Sequence, residues 1–109
     1  MASKARKRTA GRARLLLHEK VVRVDGSIIE LIIWRLPRPM PDRPHGLKYR
    51  LNFGRDGKCL VRYDNESGKG DHRHVMGREE RYQFVSVSRL RQDFEADIRR
   101  YGGSDEKED

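Results

Sequence analysis

The pattern of apolar positions predicts a β-hairpin in the first third of the chain. Residues 13–24 are rich in Leu and Val and end at Asp25-Gly26, and the strongly β-branched run 27–36 follows directly. Two strand-like runs that are joined by Asp-Gly are the strongest short-range signal for a hairpin. The second run is apolar on both faces, and Glu30 is the one exception. Two apolar faces predict a central strand that is covered on both sides.

A proline-rich segment, residues 37–46, separates this hairpin from a second one. The segment holds all four prolines of the chain, which exclude a helix or an inner strand, so we expect an exposed loop. Residues 47–53 then alternate between apolar and polar positions, and residues 58–64 form another strand-like run after a turn at residues 54–57. Cys59 falls on the apolar side of this pair, which predicts a core residue rather than a nucleophile.

The last part of the chain predicts a long loop, a short strand and a helix. Residues 65–81 are polar and contain three glycines, residues 82–86 resemble a strand, and residues 87–101 repeat apolar side chains at spacings of three and four. Ser86 is the expected N-cap of the helix, and Gly102 is its expected stop. The predicted fold is a single α+β domain, with an antiparallel sheet of four to five strands and a C-terminal amphipathic helix packed on one face.

Composition and charge add a prediction about the partner. The 109 residues carry 39% charged side chains, a formal net charge of +8 and one Cys, which excludes an internal disulfide. A polyanion, foremost nucleic acid, is the expected partner of so basic a chain. We expect a disordered basic arm over residues 1–12, the folded domain over residues 13–103 and an acidic tail over residues 104–109. The arm is either a solubilising tail or an electrostatic contact to nucleic acid or to an acidic partner.

Hydropathy also bears on the location of the protein. No apolar run approaches the ~20 residues that a membrane span requires, and the basic N-terminal residues precede no apolar stretch of a secretory signal. A single Cys fits a reducing compartment. We therefore expect a cytoplasmic protein without membrane contact.

The second predicted hairpin places cationic side chains on one face. Lys48, Arg50 and Arg62 share the polar side of the paired strands. That side is either an ordinary solvent-exposed sheet face or a surface that binds nucleic acid. Because its polar members are almost all cationic, we favour a binding surface.

The residues suited to catalysis are concentrated where this hairpin leads into the Gly-rich segment. Asp64 ends the strand, Lys69 and Arg73 supply positive charge, and His72 and His74 supply imidazoles, which ordinarily titrate near neutral pH. In an extended segment the two imidazoles point to the same side, so both can reach one phosphate. Cleavage of RNA without a metal requires such a base, an acid and cations for the developing charge.

Three functions stay open from these residues alone. They are RNA cleavage without a metal, a metal site that combines His72 and His74 with Asp64 or Asp71, and an exposed loop that binds phosphate or nothing. Spacing alone ranks the exposed loop first, RNA cleavage second and the metal site third. The chain has no P-loop, no paired-cysteine metal motif and no nucleophile elbow.

Four strings in order resemble the TumE family of small bacterial and archaeal toxins. They are LLLHEKVVRVDGSIIELIIWRLP, KYRLNF, LVRYDNESGKGDHRH and YQFVSVSRLRQDF. The resemblance spans residues 13–101, and its most specific parts are RYDN, residues 62–65, and KGDHRH, residues 69–74. It implies the toxin of a type II toxin–antitoxin system, an RNA-cleaving protein that arrests translation, with a helix-turn-helix antitoxin as partner.

The resemblance moves RNA cleavage ahead of the other functions. It implies five site candidates, which are Asp64, Lys69, His72, Arg73 and His74. In the working hypothesis one imidazole is the general base and the other the general acid, Lys69 and Arg73 stabilise the phosphate, and Asp64 orients an imidazole.

Further expectations concern nucleic-acid binding, cofactors and partners. The expected RNA-binding residues are Lys48, Arg50, Arg62 and Arg78. We expect no cofactor and no resident metal, and RNA and the antitoxin as partners, with a homodimer as a further assembly that the chain can form. The alternative is a non-catalytic nucleic-acid-binding or regulatory protein.

Overall fold

The structure, a computed structural model, describes residues 11–66 and 68–102. Most of the expected basic arm and all of the acidic tail lie outside these ranges. The described residues form one antiparallel sheet, in which each strand pairs with the next along the chain, followed by a helix. The elements are β1 (Arg14–Val22), β2 (Ile28–Arg35), β3 (Leu47–Arg55), β4 (Lys58–Asp64), β5 (His72–Val75), β6 (Arg78–Arg81) and α1 (Val87–Tyr101).

The α+β fold and the C-terminal helix are confirmed, but the sheet has six strands where four to five were expected. The additional hairpin, β5–β6, lies within residues 65–81, which were predicted to be a loop. Met76 and Gly77 form its two-residue turn with φ angles of 50° and 85°, as a tight hairpin turn requires. The segment 82–86, predicted to be a strand, is irregular and leads into α1.

The core lies between α1 and the face of the sheet on which α1 packs. Side chains from the inner strands and from one stripe of the helix fill it, as the alternation and the helical spacing predict. The buried apolar residues of this cluster are Leu31, Ile33, Leu47, Tyr49, Leu51, Phe53, Val61, Tyr63, Leu90, Phe94 and Ile98.

The predicted bounds of the helix are confirmed. The Ser86 hydroxyl accepts a hydrogen bond from the backbone N–H of Arg89 at 3.0 Å, which caps the first turn. At the other end, a Cβ on Gly102 would lie 2.2 Å from the Phe53 ring, so glycine permits close contact between the chain and the core. No helix in the described part of the chain is long and apolar enough to cross a membrane.

Two expectations about the first four strands are corrected. β2 is central, between β1 and β3, but α1 covers only the face with Leu31 and Ile33; Ile32 and Trp34 on the other face are half-buried.

Cys59 is exposed rather than part of the core. A register shift pairs Phe53 with Val61 but Gly54 with Cys59, and this bulge turns the thiol to the face opposite α1.

Candidate active site

The sheet face opposite α1, called the open face below, carries two rows of mostly polar residues that cross all six strands. The cross-strand pairs define each row, because directly paired residues point to the same side. The first row is His18, Ile32, Arg50, Asp64, His72 and Arg81. The second row is Lys20, Glu30, Asn52, Arg62, His74 and Glu79.

His72 and Asp64 form the buried part of the candidate site. Nε2 of His72 lies 2.7 Å from Oδ1 of Asp64, and Nδ1 donates to the carbonyl oxygen of Gly70 at 3.0 Å. Because a carbonyl only accepts, this bond orients the ring and leaves Nε2 facing Asp64. Nε of Arg62 lies 3.2 Å from the other Asp64 oxygen, Oδ2. Neither contact has hydrogen-bond geometry, since Oδ1 of Asp64 and Nε of Arg62 have no hydrogen-bond partner.

Glu79 connects His72 to the more exposed His74. Its Oε2 is 3.3 Å from Nε2 of His72, and its Oε1 is 3.5 Å from Nε2 of His74. The centroids of the two imidazole rings are 5.6 Å apart. The Lys69 ammonium donates to Oε2 of Glu79 at 3.3 Å, and this hydrogen bond is the largest contribution that lowers the pKa of Glu79.

Four of the five predicted catalytic candidates therefore lie together, and Arg73 does not. Arg73 alternates with the imidazoles along β5, so it points to the side of α1. There its guanidinium lies 3.1 Å from Oδ2 of Asp97 and 2.7 Å from Oε2 of Glu80. It also donates to the Tyr63 hydroxyl at 3.3 Å.

Asp71, one of the two carboxylates considered as a metal ligand, belongs to a different cluster. Its carboxylate accepts from the Tyr49 hydroxyl at 2.6 Å and lies 3.0 Å from Nε2 of His45. The buried Asn65 holds the start of the Gly-rich segment to β3, because its side chain accepts from Tyr49 N at 3.1 Å and donates to Leu47 O at 2.9 Å. These contacts fix the Gly-rich segment beside the imidazoles.

The candidate RNA-binding residues divide between the two faces. Lys48, Arg50 and Arg62 lie on the open face, where Lys48 pairs with Trp34. Arg78 of β6 pairs with Val75 of β5, and both side chains point to the side of α1. The structure therefore brings three of the four cations to the face that holds the imidazoles.

A cleft with a volume of about 370 Å³ opens on the same face beside the turn between β3 and β4. Its walls include Glu30 and Asn52 and five cationic side chains. The cations are Lys20, Arg50, Arg55, Lys58 and Arg62. Since Arg62 is the cross-strand neighbour of His74, the cleft is continuous with the candidate site.

Sequence reasoning missed Glu79 and the cleft. Glu79 lies in the segment predicted to be a loop, and only the β5–β6 pairing places it opposite His74. Gly77 was the available signal for this turn, but neither a preceding Asn or Asp nor flanking apolar alternation marked it as a hairpin.

Comparison with known proteins agrees with the resemblance seen in the sequence. The family model described as toxin TumE matches residues 6–101, which is most of the chain. No curated protein and no solved structure matches the chain significantly.

Proposed function

Because the chain belongs to the toxin TumE family, we propose that it is the toxin of a type II toxin–antitoxin system and a metal-independent endoribonuclease. One observation carries the chemical part: β5 projects two imidazoles onto the open face, with a carboxylate between them and cations beside them. The ring centroids of His72 and His74 are 5.6 Å apart, which suits two groups that act on opposite sides of one phosphate.

The proposed reaction is an internal transesterification. One imidazole Nε2 removes the proton of a ribose 2′-hydroxyl, whose oxygen then attacks the adjacent phosphorus. The bond from phosphorus to the 5′-oxygen breaks, and the other imidazole donates a proton to that oxygen. The products are a 2′,3′-cyclic phosphate and a 5′-hydroxyl, so atoms and charge balance without an added reactant.

The side chains around the imidazoles have supporting roles in this reaction. Lys69 reaches Glu79 and is exposed, so its ammonium is available to the phosphate oxygens as negative charge develops. The Gly70 carbonyl orients the ring of His72, and the Asp64 carboxylate, 2.7 Å from Nε2, places negative charge beside the positive charge that would develop there during proton transfer. Arg73 is a positioning residue here, because its contacts to Asp97 and Tyr63 hold β5 against α1.

The cationic part of the open face is the proposed path of the RNA. Arg50 and Lys48 are exposed on β3, and the cleft between Lys20 and Lys58 lies on the same face. Phosphate groups next to the scissile one would bind these cations, and the amide and carboxylate of Asn52 and Glu30 are placed to contact a base edge.

RNA incubated with the purified protein in excess EDTA tests this function. We expect fragments that end in a cyclic phosphate, and we expect His72→Ala and His74→Ala each to lower the cleavage rate by at least about 10²-fold. His18→Ala is the matched control, because His18 lies on the same face beside a carboxylate, at 2.8 Å from Glu30. Undiminished cleavage in both site variants would exclude the assigned roles, and cleavage that EDTA abolishes would exclude the metal-independent reaction.

The cleft also favours a second function, a non-catalytic nucleic-acid-binding or regulatory protein. Five cations line it, and a binding role requires only these charges and not the imidazoles. In that case RNA would bind with strong salt dependence and keep its length, and His74→Ala would bind like the original protein.

The family indicates an antitoxin as protein partner. We propose that this antitoxin is a helix-turn-helix protein, that the toxin acts in the cytoplasm, and that it can form a homodimer. Co-expression of the chain with the product of an adjacent reading frame, followed by size-exclusion chromatography, would measure both assemblies. A complex that survives the column and blocks RNA cleavage is the expected result.

A further inference from the structure

We propose that His72, His74 and Glu79 form a binding site for one divalent transition-metal ion of the Zn²⁺ class. The site needs no RNA. One ligand atom from each of the three residues lies within 4.8 Å of the other two, and two adjacent strands hold them. The three residues come from a four-residue strand and its hairpin partner, so the backbone already brings them together.

The separations allow a common centre once the side chains close on an ion. Tetrahedral Zn²⁺ with bonds of about 2.0–2.1 Å has ligand atoms about 3.3–3.5 Å apart. Oε2 of Glu79 lies 3.3 Å from Nε2 of His72, and its other oxygen, Oε1, lies 3.5 Å from Nε2 of His74. The three ligand atoms lie within 4.8 Å of one another, so an ion would draw the partly exposed His74 and Glu79 side chains closer.

The surroundings of His72 resemble those of a metal-bound imidazole. Metal-ligating histidines ordinarily donate their other ring N–H to a carbonyl or a carboxylate, which fixes the ring and leaves the second nitrogen for the ion. Nδ1 of His72 donates to the Gly70 carbonyl oxygen at 3.0 Å, and Nε2 lies between the carboxylates of Asp64, at 2.7 Å, and Glu79, at 3.3 Å.

Asp64 supplies a second, independent observation. Its Oδ1 is buried and has no hydrogen-bond partner, although it lies 2.7 Å from Nε2 of His72. A buried oxygen in this state costs stability unless a cation or a proton donor reaches it. An ion on Nε2 of His72 would place positive charge next to this oxygen, as a fourth ligand or through a bound water.

The donor set selects the class of ion. Two imidazole nitrogens and a carboxylate suit Zn²⁺ and its neighbours, whereas Mg²⁺ and Ca²⁺ require mostly oxygen ligands. The Lys69 ammonium is the group that neutralises Glu79 without an ion, and its side chain is 52% exposed. It can therefore move into solvent when an ion takes its place.

Zinc binding to the full chain, measured by titration calorimetry in a Cys59→Ser background, tests the site. The background removes the exposed thiol, which is a competing Zn²⁺ ligand on the same face. We expect one ion per chain, and we expect His74→Ala and Glu79→Gln each to weaken binding by at least about tenfold. Both residues are accessible to solvent, and circular dichroism would verify that the variants fold.

His18→Ala is the control, because His18 and Glu30 form an exposed imidazole–carboxylate pair outside the site. It should leave the affinity unchanged, and Mg²⁺ should give no comparable heat. Co²⁺ in place of Zn²⁺ should give a visible absorption spectrum of a nitrogen-ligated ion, which His74→Ala removes. Affinity that both site variants leave unchanged, or that His18→Ala lowers equally, would overturn the site.

One consequence rests on the proposed function. An ion bound to both Nε2 atoms would prevent these nitrogens from transferring protons. RNA cleavage that occurs in a sample with EDTA should therefore stop in a second sample that contains saturating Zn²⁺ and no EDTA. The calorimetry contains no RNA, so the measured zinc affinity tests the metal site even if the protein does not cleave RNA. Cleavage that continues at saturating Zn²⁺ would contradict the shared use of the two imidazoles.

Discussion

Two adjacent residues of β5, His72 and Arg73, have opposite surroundings. Successive residues of a strand point to opposite faces, so a single step along the chain separates the open face from the face under α1. His72 contacts the carboxylates of Asp64 and Glu79, which lie on the open face with it. Arg73 contacts Asp97 of the helix at 3.1 Å and ties the sheet to it.

The difference shows that charge and sequence position do not by themselves decide which residues lie in the candidate site. Partial burial opposes the charge on Arg73, but the Tyr63 hydroxyl, Asp97 and Glu80 together raise the pKa of its guanidinium above the ordinary value. Its charge is thus matched by partners within the fold. The imidazoles of His72 and His74 instead lie beside an accessible carboxylate, Glu79, which also accepts from the exposed Lys69.

The largest expected effect separates the two faces by activity. His74→Ala should lower RNA cleavage by about 10²–10⁴-fold with little change in thermal stability, because it removes a half-exposed proton-transfer group and no core contact. Arg73→Met should keep the rate per folded molecule within about threefold, since the methionine retains the packing of the arginine stem. Single-turnover cleavage of a defined RNA measures both. A loss in Arg73→Met as large as that in His74→Ala would place Arg73 in the catalytic site.

The next effect concerns stability on the helix side. Asp97→Ala should lower the free energy of unfolding by about 2–4 kcal/mol, because it leaves the buried Tyr63 hydroxyl and the Arg73 guanidinium without their shared acceptor. Urea denaturation measures the change. Glu80→Ala is the control, since Glu80 is 54% exposed and should change stability by less than about 1 kcal/mol. Equal losses in the two variants would contradict the buried role of Asp97.

A smaller effect distinguishes the faces by RNA binding. Arg50→Ala should weaken RNA binding by about three- to tenfold and reduce the salt dependence by about one phosphate contact, because Arg50 is exposed on the open face. Arg78→Ala should have a smaller effect, since Arg78 points to the side of α1. Fluorescence anisotropy with a cleavage-deficient His74→Ala protein measures both. Greater weakening by Arg78→Ala would indicate that RNA binds on the other face.

The smallest effect tests the turn between β1 and β2. The hydroxyl and backbone N–H of Ser27 donate to the Asp25 carboxylate at 2.6 and 2.9 Å and lower the pKa of Asp25 to about 2. A lowered carboxyl pKa stabilises the fold above the unfolded pKa of about 3.9, and that stabilisation is lost as the pH falls through the folded value. Asp25→Asn should therefore melt at a slightly lower temperature at pH 7, and the difference should shrink between about pH 4 and pH 2. A difference that grows on acidification would contradict this assignment.

The sequence predicted correctly those elements whose apolar residues follow a regular pattern. The hairpin at Asp25-Gly26 and the helix over residues 87–101 both had one, and both predictions were correct. β6 reads REER, which is polar on both faces, so no alternation distinguishes it from a loop. Cys59 was misplaced because a bulge changes the register, and the sequence contains no signal for that shift.

The same reasoning accounts for the site. The sequence identified His72, His74, Lys69 and Asp64 by their chemistry, and the structure places them together. The sequence also suggested Arg73. Because this segment was predicted to be a loop, no strand alternation assigned Arg73 to one face of the sheet. The pairing of β5 with β4 and β6 is what separates Arg73 from the imidazoles and brings in Glu79.

The sequence by itself determined the class of fold, the family, the helix and the chemical groups of the site, because these depend on local periodicity and on residue type. The tertiary structure decided which of those groups share a face. Strand register is a long-range property, and it is set by pairing between residues that the local pattern does not connect. His72 opposite Asp64, Glu79 opposite His74 and Arg73 against the helix all follow from that register.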